Sequence, residues 1–199
     1  LIVFLAMLIG FMGPDGSFVI PFTAIQLLWI NLVTDGLPAV ALGTDRATGD
    51  IMKRKPRDPK EPLLSNSMMT DIFMTGGVIT AIVLALFAYH LPDVQRAISI
   101  SFMSIVVLEL ANIFRIRLEM GHGIFTNRKL LYAVGFSFIV QLSVIYLPPL
   151  QPIFGTTFLD LEEMGMILLG LIAFMVYCFA RMRLPRLRQT LKYTKVNEL

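Results

Sequence analysis

Asn31-Leu32-Val33-Thr34-Asp35-Gly36-Leu37-Pro38 is a polar, broken run set inside an otherwise apolar stretch that extends to about Gly43. A carboxylate in a membrane-spanning helix costs about 2.5–3.5 kcal/mol on insertion scales, so its presence calls for a function. Asn31, Thr34 and Asp35 stand at i, i+3 and i+4 and share one helical face. Pro38 has no N–H to bond the Thr34 carbonyl, and Gly36 opens backbone angles closed to other residues. The run therefore predicts an unwound turn presenting a carboxylate, an amide, a hydroxyl and free carbonyls at one point. Mixed oxygen ligands of that kind suit a hard cation such as calcium. Broken backbone at membrane depth is tolerated where it lines a site or cavity. The bland alternative, a proline kink tied down by interhelical hydrogen bonds, does not require Asp35.

The setting of this run comes from composition. Of 199 residues, 56% are hydrophobic and 16% charged, against about 25% charged in soluble domains. Apolar stretches cover roughly 1–13, 17–34, 72–92, 97–114, 130–150 and 164–180. A span needs about 20 apolar residues, so five stretches qualify. The first, opening at Leu1, is expected to be the outer half of a span begun upstream. The expected fold is all-α: a polytopic transmembrane helix bundle of about six spans, one partial and one interrupted. Residues 1–13 carry no basic segment that would make them a signal peptide.

Positive charge sets the orientation. Lys and Arg fall in the 44–67 connection (Arg46 to Lys60), around Arg115, Arg117, Arg128 and Lys129, and in the tail from Arg181 to Lys195. Acidic residues collect in the other connections, with Asp15, Asp93, Asp160, Glu162 and Glu163 against Arg96 alone. The tail is thus expected in the cytoplasm and the 12–21, 91–96 and 149–163 connections outside. The net charge of +3 reports this topology and contact with anionic lipid, which argues against a nucleic-acid surface. Pro56, Pro59 and Pro62 stiffen the 44–67 loop, Gly76-Gly77 would admit a close helix, and Pro148-Pro149 stops the fifth span. Cys178, the only cysteine, excludes an internal disulfide or thiolate cluster.

A second ionisable group stands in the fourth span: Glu109, within Val106-Val107-Leu108-Glu109-Leu110-Ala111-Asn112. It can serve as a ligand if another carboxylate stands elsewhere in the bundle, as a structural acid paired with a neighbouring helix, or as a protonated acid. Gln26 and Gln141 read as interhelical hydrogen-bond partners, and Trp29 as a packing or interfacial aromatic. The 12 methionines read as soft packing.

The run Gln26 to Ala39 closely resembles the sixth transmembrane helix of P-type calcium pumps. Residues 50–63 resemble that family's loop between helices six and seven, and Glu109 with Ala111-Asn112 is similar to its eighth helix. The resemblance covers essentially the whole chain, as helix five (partial) to helix ten. It implies a pump that passes through a phosphorylated aspartate, with Ca2+ as the transported ion and Asn31, Thr34, Asp35 and Glu109 as its ligands. Mg2+ and ATP would act only in the missing domains, since the phosphorylation motif, the nucleotide-binding domain and the actuator domain are absent. The 44–66 loop would couple the spans to the phosphorylation domain. Residues 1–182 would form the membrane domain and 183–199 a basic tail, within a prokaryotic plasma membrane. The partners are then the lipid bilayer and the missing helices and cytoplasmic domains of the same pump. Two alternatives stay open: the same fold moving Na+, K+, Mn2+ or H+, and a non-enzymatic ion-binding membrane subunit.

Overall fold

The computed structural model describes the backbone of residues 1–44 and 66–197, and side chains over 1–44 and 68–183. The 45–65 segment, which holds most of the predicted coupling loop, lies outside the described residues. The helices are α1 (Ile2–Ile9), α2 (Ala24–Trp29), α3 (Leu37–Gly43), α4 (Asn66–Tyr89), α5 (Val94–Glu119), α6 (Arg128–Tyr146), α7 (Gln151–Phe154) and α8 (Leu161–Asn197). A π-helical segment, Ile30–Gly36, joins α2 to α3 into one rod of 20 residues. That rod, α4, α5, α6 and the Leu161–Arg183 part of α8 are each long and apolar enough to cross a bilayer.

Helix boundaries follow local chemistry. The rod starts at Ala24, later than the apolar run suggests, because Thr23 and Gln26 form a capping box at that point. Residues 11–19 instead fold into a small turn, with Val19 N–H bonded to the Phe11 carbonyl and Gly13 N–H to that of Ser17. Asp93 and Asn127 cap α5 and α6 by accepting the Arg96 and Leu130 amides. α6 ends at Tyr146 because Leu147, ahead of Pro148, is extended (φ −88°, ψ 116°). α8 runs without a break past Arg181 to Asn197, so the basic tail continues the last span as helix.

α5 is the central helix and packs against α4, α6, α8 and the π segment. Ile100, Phe102, Met103 and Val106 are fully buried there, with Val83, Val144, Ile145 and Phe174. Its buried serines carry no stray polarity: Ser99, Ser101 and Ser104 each donate to the carbonyl four residues back, at 2.6–2.8 Å. Of the Gly76-Gly77 pair expected to admit a close helix, a Cβ at Gly76 would lie 3.9 Å from Leu1 Cδ1, an ordinary contact and not a close one. A Cβ at Gly77 would meet nothing within 4 Å, whereas one at Gly170 of α8 would lie 2.8 Å from Ile82 Cγ2 of α4.

Ion pairs tie the two ends of the bundle. At the acidic end Arg96 reaches Asp93 (3.3 Å), Asp160 (3.1 Å) and Glu163 (2.5 Å). Glu163 also accepts the Asp160 amide, which fixes the start of α8. At the basic end Arg115, only 5% exposed, binds Asp71 (3.2 Å), Glu119 (2.7 Å) and the Asn112 amide oxygen (2.7 Å). Arg181 of α8 holds Asp71 from the other side at 2.8 Å. One cluster thereby joins α4, α5 and α8.

Candidate functional site

The interrupted helix is π-helical over Ile30–Gly36 and keeps its helical path, where the sequence suggested an unwound turn. Three causes combine. Pro38 cannot donate to the preceding turn, Gly36 offers no side chain, and an i→i+5 register absorbs the mismatch without breaking the rod. Pro38 stands just past the π segment, in the first turn of α3, and without an N–H it leaves the preceding turn, Val33 and Thr34, short of a backbone donor. Ser137 of α6 donates its hydroxyl to the Val33 carbonyl at 2.9 Å.

The π register re-sorts the predicted face. More residues per turn bring the residue four on closer to the same side and swing the residue three on away. Asn31 and Asp35 accordingly line one cleft of about 310 Å³, together with Glu109 of α5. Leu27, Ile30, Ile79, Thr80, Gly76 and Ile105 supply its mostly apolar walls. Thr34 is buried, 1% exposed, and is not among the residues lining that cleft. Glu109 also borders a second, larger cleft of about 930 Å³ leading toward Asp71, Asn112 and Arg115. Its Oε2 is buried without a hydrogen-bond partner, as is Thr75 Oγ1. Asn112, one turn on, has its amide oxygen engaged by Arg115 Nε.

Several other polar groups of the spans are engaged in hydrogen bonds. Gln26 donates to the Phe154 carbonyl at 2.9 Å, while its oxygen takes the Thr23 amide at 3.1 Å. Trp29 donates its indole N–H to Gln141 at 3.0 Å and packs edge-on against Phe154. His90 Nδ1 lies 3.0 Å from the Leu86 carbonyl. Sequence reasoning missed Ser137. A serine in an apolar helix looks like any small packing residue, and only its partner on another helix distinguishes it.

The three groups on this cleft are hard oxygen donors, the chemistry a calcium ion takes, but they are too few to complete its shell. Two bidentate carboxylates and one amide oxygen offer five oxygens at most, and calcium takes about six to eight. Among the described residues no group of three or more His, Cys, Asp or Glu is close enough to hold a metal.

Residues 19–184 match the family model described as "Cation transporting ATPase, C-terminus". The chain is 38% identical over 174 residues to a calcium-transporting ATPase of Bacillus subtilis, covering 84% of this chain and 19% of that protein. It is 33% identical over 170 residues to the calcium-transporting ATPase type 2C member 2 of Rattus norvegicus (81% and 18%). It is 31% identical over 186 residues to calcium-transporting ATPase 1 of Schizosaccharomyces pombe (90% and 21%). The chain spans about a fifth of the length of these relatives.

Proposed function

The chain belongs to the C-terminal region of the cation-transporting ATPases, a multi-pass membrane segment, and from that premise we propose that it forms part of a calcium-translocating site. The observation that carries the proposal is the meeting of Asn31, Asp35 and Glu109 on one cleft between the π segment and α5. Asp35 and Glu109 supply the charge that compensates a dehydrated divalent cation, and Asn31 adds a neutral oxygen. Thr34 enters through its backbone or its packing, since its buried side chain does not line that cleft. The ligands still needed come from parts of the pump outside this chain. The similarity to calcium-transporting ATPases supports calcium over sodium, potassium, manganese or protons.

ATP hydrolysis, with its Mg2+, belongs in this reading to domains beyond the chain, and the 44–66 loop couples them to the spans. The basic end, with Arg115, Arg117, Arg128, Lys129, Arg181 and Arg183, faces the cytoplasm and the Arg96 cluster faces outward. Residues 1–182 then form the membrane domain and 183–199 a cytoplasmic tail, in a prokaryotic plasma membrane. Calcium-dependent ATPase activity of the full-length protein tests the site. Asp35→Asn and Glu109→Gln should each raise the calcium concentration for half-maximal activity by tenfold or more, the cost of about 1.4 kcal/mol or above. Normal calcium dependence in both variants would refute the assignment.

A further inference from the structure

We infer that Ser137 of α6 is a positioning residue of the cation site, through the backbone of the π segment. The inference rests on the proposed role of Asn31 and Asp35. Ser137 is 1% exposed, and its hydroxyl donates to the Val33 carbonyl at 2.9 Å. That carbonyl lies between Asn31 and Asp35 in the chain, in the turn that Pro38, lacking an N–H at the start of α3, leaves short of a donor. An unpaired buried carbonyl is costly where no water can reach it. Without the hydroxyl, the register that aligns Asn31 with Asp35 loses its compensation.

α6 is built to hold this rod at three levels. Gln141, one turn from Ser137 on the same face, takes the Trp29 indole N–H at 3.0 Å just ahead of the π segment. Ser137 acts within it, and Asn127 donates to the Ala41 carbonyl at 3.1 Å just beyond it. Ser137, Gln141 and Asn127 are all buried. The outer two bonds place the rod against α6. The middle bond selects its register.

The test measures calcium dependence of ATPase activity in the full-length protein. Ser137→Ala should raise the half-maximal calcium concentration roughly tenfold, the worth of one buried hydrogen bond, with maximal rate retained. Ser137→Thr, which keeps the hydroxyl, should restore wild-type calcium dependence. Pro38→Ala supplies the missing N–H, so in that background Ser137→Ala should add at most a twofold change. A purely structural role would lower maximal rate and yield with calcium dependence unmoved, and that pattern overturns the inference. So would an equal Ser137→Ala effect with and without Pro38. Asp35→Asn measured alongside separates the two readings. If it shifts calcium dependence and Ser137→Ala does not, the site stands and the positioning role falls; if neither shifts, the site itself falls.

Discussion

Replacing Gly170 by alanine tests how α4 and α8 are held together. The added Cβ would lie 2.8 Å from Ile82 Cγ2 and 3.9 Å from Leu86 Cδ1. A carbon–carbon contact is comfortable at about 3.5–4.0 Å, so about 0.7 Å or more must be found by movement. Ile82 cannot provide it by rotating, because a β-branched side chain in a helix holds essentially one χ1 rotamer. Either α8 moves away from α4 or the isoleucine goes off-rotamer, and overpacking of this kind costs about 1–3 kcal/mol. Small residues permit such approaches in membrane bundles, where packing takes the place of a hydrophobic driving force between helices. The assay is thermal inactivation of the detergent-solubilised full-length protein, with Gly170→Ala, Ile82→Ala and the double variant. Ile82→Ala alone opens a cavity and lowers the midpoint. In the double variant the new methyl enters that space, so the combined loss should fall short of the sum by about 1 kcal/mol or more. An unchanged midpoint for Gly170→Ala, or strict additivity in the double variant, would refute the packing described for this contact.

The basic-end cluster gives a second prediction. Arg115→Met removes the partner of Glu119 and Asn112, whereas Asp71 keeps Arg181 at 2.8 Å. Breaking a buried pair costs about 3–5 kcal/mol, but Asp71 and Glu119 are part-exposed, 28% and 34% for their side chains, so about 1–3 kcal/mol is expected. Arg181→Ala, at a more open position, should cost less, and equal losses in thermal midpoint would contradict the hierarchy. In the 11–19 turn, hydrogen bonds from the Ser17 hydroxyl and amide hold the Asp15 carboxyl below its ordinary range. A depressed carboxyl stabilises the turn above its unfolded titration point and loses that contribution as pH falls through the folded one. Ser17→Ala should therefore move the Asp15 titration upward, read by carboxyl-carbon NMR; an unmoved titration would mean that Ser17 is not the cause.

The spans were legible in the sequence because lipid imposes a one-dimensional rule: about 20 apolar residues make a crossing, whatever surrounds them. The same rule exposed Asp35 and Glu109, since a carboxylate in such a run has few bland explanations. Gln26 and Gln141 were readable as interhelical partners for a related reason, although the partners themselves, the Phe154 carbonyl and Trp29, lie 128 and 112 residues away. The polar segment from Asn31 to Pro38 announced a break but not its form. Whether Pro38 unwinds the helix or widens it depends on what donates to the displaced backbone carbonyls, and the donor to Val33 is the Ser137 hydroxyl on another helix. The consequence reaches the candidate ligands. Thr34 shares a face with Asn31 in an α-helix but is turned into the packed interior in the π register. The close approach moved from Gly76-Gly77 to Gly170 for a similar reason: a glycine permits contact, and only the neighbouring helix decides where it is used. What the sequence determined by itself was the five apolar stretches that the described residues form into helices long enough to cross a bilayer, their charge pattern and the two carboxylates within them. Tertiary structure decided the helical register and which of the polar groups share a cleft, because an orphaned carbonyl can be satisfied only by a group that the fold brings to it.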